Sequence, residues 1–413
     1  NTLRVAVNGD EFLQQGRQAL GHPIEIISGQ EEARLIYLGV AHSVYNETDK
    51  RLVVDIGGGS TELIIGKGFN PYYVESLYMG CVSTSRRFFP EGTITRKKMR
   101  KAIVASRQEM EALEATYKKL SWDKALGSSG TILAIYDVVK AQGWSDKGIT
   151  LKSLHSLSDA LISIGTIDDI KFDGLSAQRK PVFAGGVAIL TGIFESLEID
   201  YMNISDGALR EGLLHDLIGR VHNEDIRDKT MVDIAARYSV DNEQAARVKK
   251  TVHELYQQTK KTWKLNDEAH FKLLNWGAET HEIGLSIAHA QYHRHGAYLI
   301  ANSDLPGFSR QDQIKLATLV QNHRRKFLRE NIPASIDDNP ETVRYLCIIL
   351  RLAVLLNRSR IYTALPEIRI KAEKNLIKLK FPEEWLETHP LTQVDLETEF
   401  GYLANADFTL KYQ

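Results

Sequence analysis

One stretch limits the folding options of this chain more than any other: Arg51-Leu52-Val53-Val54-Asp55-Ile56-Gly57-Gly58-Gly59-Ser60-Thr61-Glu62-Leu63-Ile64-Ile65-Gly66. Two short apolar, β-branched runs flank three consecutive glycines, a pattern that reads as strand, tight turn, strand. With no Cβ at Gly57, Gly58 and Gly59, backbone N–H groups can converge on an anion, and the hydroxyls of Ser60 and Thr61 add donors. Asp55 closes the first strand and Glu62 opens the second. Carboxylates bracketing a phosphate site call for a hard cation between them, or for one of them to position or deprotonate a water. The stretch is a signal of phosphoryl chemistry; a glycine-rich hairpin with two solvated acids is the plainer alternative.

A chain of 413 residues is expected to form about two to four domains. Its 43% hydrophobic and 25% charged residues are those of a globular protein with ample core. A net charge of -1 argues against a globally basic nucleic-acid binder. Cys81 and Cys347 are far apart and form no C-x-x-C, so neither a disulfide framework nor a cysteine zinc site is expected, and a reducing cytoplasm fits. No uninterrupted apolar run long enough for a transmembrane segment is present. The opening Asn1-Thr2-Leu3-Arg4-Val5-Ala6-Val7 lacks the order of a signal peptide, and with no initiator Met the chain is expected to begin inside a larger protein.

Ile24 to Ile27 reads as a short strand. Ser28-Gly29-Gln30-Glu31 is a capping box before Ala33 to Gly39, with Ser28 as the cap and Glu31 reaching back to it. Glu32, one position on and turned by about 100°, is free to face a ligand, although on spacing alone an ordinary acid in a first helical turn is the better reading. Tyr72 to Leu77 is another strand and Thr95 to Tyr117 a polar helix. Ala125-Leu126-Gly127-Ser128-Ser129-Gly130-Thr131-Ile132 reads as strand, glycine loop and helix start, a second place where an anion would meet unpaired N–H groups. A helix from Val182 to Leu197 carries Ala184-Gly185-Gly186, a weak candidate for an adenosine pocket. The strand Tyr201 to Ile204 leads through Ser205-Asp206-Gly207-Ala208-Leu209 to Arg210, placed to fork onto a phosphate oxygen or to pair with Asp206.

Beyond about His222 strand signals vanish. Helical spacing runs from Asp228 to Arg360, including Glu243 to Lys261, Phe271 to Ala290 and Val343 to Leu356, with His253, His270, His281, His289, His293, His295 and His323 among them. Glu367 to Lys371 and Asn375 to Phe381 then alternate with a period of two, so a small terminal domain of antiparallel strands is expected.

Taken in order, Ile26 to Arg34, Asp55 to Glu62, Gly127 to Thr131 and Ser205 to Gly212 closely resemble the exopolyphosphatase and guanosine pentaphosphate phosphatase family, a branch of the actin, sugar kinase and heat-shock ATPase superfamily. His281 to Leu285 and Ser303 to Phe308 extend the likeness to long bacterial exopolyphosphatases. The resemblance implies an α/β fold of actin-like, ribonuclease H-like lobes followed by an all-α HD-like domain and a small C-terminal domain. The expected boundaries are 1–46 for a remnant of the first lobe, 47–218, 219–360 and 361–413. The first phosphate loop of the family, Asp-Leu-Gly-Ser-Asn-Ser, has no counterpart here, so part of the first lobe is expected to be missing and turnover by the fragment is not assured on that ground alone.

The resemblance also reverses the spacing-based reading of Glu32, which matches the residue that activates the attacking water. Asp55 and Glu62 match acids associated with Mg²⁺, with K⁺ as a further expected cofactor. Gly57, Gly58, Gly59 and Ser60, with Gly127, Ser129, Gly130 and Thr131, match loops that hold phosphates, and Arg4 and Arg210 match arginines lining the cleft. Hydrolysis of the terminal phosphate of inorganic polyphosphate is the expected activity; the alternative is removal of the 5′-terminal phosphate of guanosine pentaphosphate by the same residues. Arg86, Arg87, Lys249, Lys250, Arg324, Arg325 and Lys326 are candidates for a basic track. A homodimer is expected, in the cytoplasm or peripherally at the inner membrane, without nucleic acid. Three other readings stay open: a kinase or chaperone on the same fold, metal chemistry at His253, His281 and Glu282, and a non-catalytic polyphosphate sensor.

Overall fold

The computed structural model describes residues 2–44, 48–221, 225–328, 330, 332–333, 340–360 and 365–413. His222 and the expected boundaries at 46–47 and 361 lie outside them. The chain divides into two compact units, one of residues 1–9 and 27–225, the other of residues 10–26 and 226–413.

The first unit is built on a six-stranded sheet of β1 (Lys50–Ile56), β2 (Thr61–Lys67), β3 (Asn70–Leu77), β4 (Lys124–Ser128), β5 (Ile149–Thr150) and β6 (Tyr201–Ile204), in the order β3-β2-β1-β4-β6-β5. The glycine stretch forms the expected hairpin, with β1 antiparallel to β2 and β2 antiparallel to β3. β4 runs parallel to β1 and β6 parallel to β4. Side chains alternate between faces along each strand, and both faces are covered. Leu52, Val54, Ile56, Leu63 and Ile65 join one core with the helices Arg96–Leu120, Ser129–Ala141 and Lys180–Leu197. Val53, Ile64 and Leu126 lie against Ala33, Ile36, Tyr37 and Val40 of the helix Gly29–Ser43.

Burial on both sides explains why β1 and β2 read as near-continuous apolar runs. It also explains why the helix Lys180–Leu197, which has the length and the mean hydropathy of 1.2 of a membrane span, is 78% buried within the protein. Its glycines serve packing. A Cβ on Gly185 would lie 2.4 Å from Ser85 Oγ, and one on Gly186 would lie 2.4 Å from Thr131 Cγ2. Ala184-Gly185-Gly186 is therefore a close helix contact in mid-core, and the adenosine-pocket reading does not hold.

The second unit is helical, with one core drawn from the helices Ile226–Arg237, Asn242–Thr259, Glu268–Thr280, Arg310–Asn322 and Pro340–Leu356. The helix expected over Phe271 to Ala290 ends at Thr280 and gives way to a 3-10 turn at Ile283–Ser286. The last sheet comprises β7 (Arg369–Ala372), β8 (Leu376–Lys380) and β9 (Thr409–Tyr412); β7 is antiparallel and β9 parallel to β8. Ile370, Ile377, Leu379 and Leu410 share the helical core, so these strands do not form a core of their own.

Ile24 to Ile27, expected as a strand, joins no ladder. The sequence-distant Gln311 supplies what a neighbouring strand would: its side chain accepts from Ile26 N–H at 3.0 Å and donates to Ile24 C=O at 3.3 Å. Arg310 N–H completes the contact with Ile26 C=O at 2.8 Å.

Candidate functional site

Strand register assembles the centre of the site. Ser76 pairs with Glu62, Glu62 with Asp55, and Asp55 with Ser128, so four polar residues stand in one row across β3, β2, β1 and β4. Directly opposite residues on adjacent strands share a face, with Cβ atoms about 5 Å apart. By alternation this is the face that carries Val53, Ile64 and Leu126, the one covered by the helix Gly29–Ser43. The row sits at the strand ends next to the glycine turn, and its two carboxyls are buried, Asp55 at 8% and Glu62 at 1% exposure. Ser76 Oγ donates to Glu62 Oε1 at 2.9 Å.

The first turn of the covering helix delivers Glu32. Ser28 caps it by accepting from Glu31 N–H at 3.1 Å. Glu31, expected to reach back to the cap, commits both carboxylate oxygens to Arg34 at 2.8 Å. Arg34 also pairs with Asp216 at 2.5 Å. Glu32 Oε2 accepts from Arg4 Nη1 at 2.9 Å, and the same nitrogen donates to Ile27 C=O at 3.0 Å. Glu32 raises the pKa of both Asp55 and Glu62 through its charge, which places the three acids within electrostatic reach of one another.

Helix Leu209–Val221 holds this helix in place through glycine contacts. A Cβ on Gly39 would lie 2.0 Å from Ala208 C=O, and one on Gly212 would lie 1.8 Å from Leu35 C=O. Gly207 and Gly212 in the Ser205 to Gly212 motif thus allow two helices to meet backbone to backbone. Arg210 is exposed at the start of its helix beside Glu211, and among the described residues it forms no ion pair with Asp206.

At the hairpin tip Gly57 N–H closes the turn on Ser60 C=O at 2.9 Å. Gly57 C=O accepts from Cys81 N–H, and Gly58 C=O from the N–H groups of Val82 and Ser83. The turn is pinned through its carbonyls to the start of helix Cys81–Phe88. The N–H groups of Gly58 and Gly59 meet no backbone acceptor among the described residues, and Gly58 is exposed. These are the donors an anion could reach.

The second loop behaves differently from its sequence pattern. Gly127 lies within β4, where a Cβ would meet Ile132 Cγ2 at 2.5 Å and Met202 Sδ at 2.8 Å. Thr131 is buried and directs its hydroxyl to Cys81 Sγ at 3.5 Å. Both face the interior, so neither side offers a phosphate contact. Ser129 adopts φ 82°, an uncommon conformation for a non-glycine residue that recurs at functional sites. Its Oγ accepts from Ile56 N–H at 3.3 Å and Ile132 N–H at 3.4 Å, tying the end of β1 to the start of the helix. Gly130 leaves room for Arg179, whose Nη2 would lie 2.1 Å from a Cβ there. Arg179 is exposed, acts on Asp55 by its charge, and is the principal residue that sequence reasoning missed. It precedes Lys180-Pro181 in no recognisable motif; only the fold carries it to the row.

Burial pushes the Asp55 carboxyl up to about 6, with the charge of Glu32 adding to it and Ser128 and Arg179 opposing. Burial, then the charges of Glu32 and Asp55, push Glu62 up to about 7 against bonds from Ser60 and Ser76. Acids gathered this way fit a bound cation, which would relieve their repulsion. Among the described residues no three His, Cys, Asp or Glu side chains are grouped to hold a metal ion. Asp55 and Glu62 are the paired carboxylates that could hold such an ion; Mg²⁺ commonly keeps waters and takes one or two carboxylates plus phosphate oxygens.

In the second unit His253 packs edge-on against Phe271 with ring centroids 5.3 Å apart. His281 Nδ1 donates to Ala278 C=O at 2.7 Å, and Glu282 pairs with Arg360 at 2.5 Å. Among the described residues these side chains belong to no group of three that could hold a metal ion.

Comparison with known proteins shows the family to which the chain is related. The model of the Ppx/GppA phosphatase family matches residues 1–221, and that of Ppx/GppA phosphatase, domain III, matches residues 226–400. A protein of Pseudoalteromonas translucida named guanosine-5′-triphosphate,3′-diphosphate pyrophosphatase is 39% identical over 96% of this chain and 80% of its own length. One of the same name from Aeromonas hydrophila is 38% identical over the same shares. Among solved structures, the Aquifex aeolicus PPX-GPPA enzyme is 28% identical, with a TM-score of 0.44 over 52% of this chain and 72% of that one. An exopolyphosphatase from Cytophaga hutchinsonii is 20% identical, with a TM-score of 0.47 over 52% and 72%. With both units matched and relatives this similar along nearly its whole length, the chain belongs to the Ppx/GppA phosphatase family.

Proposed function

We propose that this phosphatase removes the 5′-terminal phosphate of guanosine 5′-triphosphate 3′-diphosphate, the alternative substrate implied by the sequence motifs, in preference to inorganic polyphosphate. The observation that supports the chemistry is the Ser76, Glu62, Asp55, Ser128 row next to the glycine turn, with the charge of Glu32 acting on both of its acids. The names of the two close relatives favour the nucleotide. The strand order β3-β2-β1-β4-β6, antiparallel then parallel, supports an actin-like, ribonuclease H-like reading of the first unit.

Phosphoryl transfer asks an enzyme mainly for position and electrostatics. Asp55 and Glu62 would hold Mg²⁺, which when bound draws charge from the oxygens of the terminal phosphate. Arg4 fixes one oxygen of Glu32, leaving Oε1 to accept a proton from the attacking water and set its direction. The amides of Gly58 and Gly59 bind the phosphate being transferred. Arg179 lies where its guanidinium can neutralise charge that builds on the leaving phosphate.

The test is orthophosphate release from guanosine pentaphosphate and from long polyphosphate, with the native chain and Glu32→Gln. The nucleotide should be the faster substrate, and the variant should lose about 10²- to 10⁴-fold in kcat with little change in KM. Faster release from polyphosphate would reverse the substrate assignment, and an active Glu32→Gln would remove Glu32 from the chemistry.

A further inference from the structure

Strand β3 forms one edge of the six-stranded sheet. Tyr73 and Leu77 pack against the core that holds helix Lys180–Leu197, whereas Val74 packs under helix Gly29–Ser43. By alternation Ser76 falls on the side of Val74, and it stands directly opposite Glu62 in the ladder. An aliphatic residue there would continue the apolar face; a half-buried hydroxyl has to find a partner instead. Ser76 Oγ donates to Glu62 Oε1 at 2.9 Å, and among the described residues it makes no other hydrogen bond. Ser60 bonds the same carboxylate from within the glycine turn. Ser76 is the contact that the turn cannot supply.

A second contact fixes the direction of this hydroxyl. A Cβ on Gly29, the first residue of the helix that carries Glu32, would lie 2.5 Å from Ser76 Oγ and 2.7 Å from its Cβ, with Arg4 Nη2 3.7 Å away. Glycine lets the helix start close over the serine, and the tight fit hinders rotation about the Ser76 Cα–Cβ bond. Ser76 thus touches two parts of the site, the Glu62 carboxylate by a hydrogen bond and the helix start that delivers Glu32 by packing. The last torsion of a glutamate is broad and soft, so a carboxylate takes a defined orientation only when a donor holds it. Around metal ions such bonds to ligating side chains set their orientation, and losing one costs about 10- to 100-fold in metal affinity or activity.

We propose that Ser76 is a positioning residue for the phosphatase reaction: by holding Glu62 Oε1 it fixes the orientation in which that carboxylate meets a divalent cation shared with Asp55. The inference rests on the assignment of Asp55 and Glu62 to the metal made above. It adds a residue that lies outside every motif from which the site was read in the sequence, and its place there comes from the pairing of an edge strand and from one glycine contact.

The test titrates Mn²⁺, an ion that suits the same carboxylate and water ligands as Mg²⁺, into the full chain without substrate and reads the free ion by electron paramagnetic resonance, so that binding is measured apart from turnover. Glu62→Gln is expected to remove most of the binding and Ser76→Ala to weaken it about 10-fold or more. Ser76→Thr keeps a hydroxyl on the same Cβ and suits a strand; it should bind as the native chain does. In orthophosphate release, the Mg²⁺ concentration for half-maximal rate should rise in Ser76→Ala by the factor seen with Mn²⁺, while KM for the phosphate substrate stays as it was. Native affinity in Ser76→Ala, where Glu62→Gln has lost it, overturns this proposal alone, and so does a Ser76→Thr that binds as weakly as Ser76→Ala. A native chain that binds no Mn²⁺ overturns the metal assignment and this proposal together.

Discussion

Asp55 and Glu62 are unusual among the acids of this protein in being held well above the ordinary carboxylate range, and the cause is burial, with the charge of Glu32 adding to it. The sign of the consequence follows from proton linkage. A carboxyl whose folded-state pKa exceeds its unfolded value binds more protons when folded, so stability is greatest below the unfolded value and is lost as pH rises through the folded one. For Asp55 the window runs from 3.8 to about 6 and for Glu62 from 4.5 to about 7. Each shift corresponds to roughly 3 kcal/mol. Urea unfolding without divalent ion should show Asp55→Asn/Glu62→Gln gaining on the native chain between pH 4 and pH 7.5. Added Mg²⁺ should raise the stability of the native chain alone, and parallel pH profiles for the two proteins would contradict this account. Gly130→Ala tests Arg179 without replacing it. The nearest atoms to the added methyl are the far end of that side chain, so melting should be unchanged while KM rises several-fold; an unchanged KM would leave Arg179 without a role.

At the scale of elements, the position of Glu32 is set by the helix Gly29–Ser43, and the position of that helix by the glycines of its neighbour. Gly212 approaches Leu35 C=O so closely that a Cβ would stand 1.8 Å from it. Gly212→Ala must therefore push the two helices apart, at a cost of about 1 to 3 kcal/mol by the measure of other overpacked sites. The melting temperature should fall by several degrees, and kcat should fall with it because Glu32 moves relative to the row. A variant with lowered melting temperature and native kcat would show that the helix start is held by Arg4 and Ser28 alone. In the same way, the kinship of Ser205 to Gly212 with a phosphate motif obscured its local task, which is to let two backbones touch.

Over the whole molecule, the boundary between units does not follow chain order, because residues 10–26 belong with residues 226–413. Gln311 and Arg310 spend three hydrogen bonds on Ile24 and Ile26. A fragment beginning at Ile226 leaves those groups unpaired, each such loss costing about 1 kcal/mol. Its urea midpoint should lie below that of the same fragment supplied with a peptide of residues 10–26, and equal midpoints would show that the segment adds nothing.

What the sequence alone determined is the chemistry of the hairpin. Two apolar runs around three glycines marked a hairpin with Asp55 closing one strand and Glu62 opening the other, and the order of motifs identified the family; that the two acids pair across the ladder came from its register. The capping residue Ser28 was legible for the same reason, since a cap is a contact between near neighbours. What only the tertiary structure decided rests on contacts distant in the chain. Ser76 and Ser128 complete the row through the register of β3 and β4, and Arg179 reaches the row from a helix start that carries no motif. Gly127 and Thr131 share a glycine-rich pattern with phosphate loops, yet close packing against Met202, Ile132 and Cys81 claims them. Glycine marks any place where atoms come close, and a sequence does not say whether the approaching atom belongs to a ligand or to the protein itself.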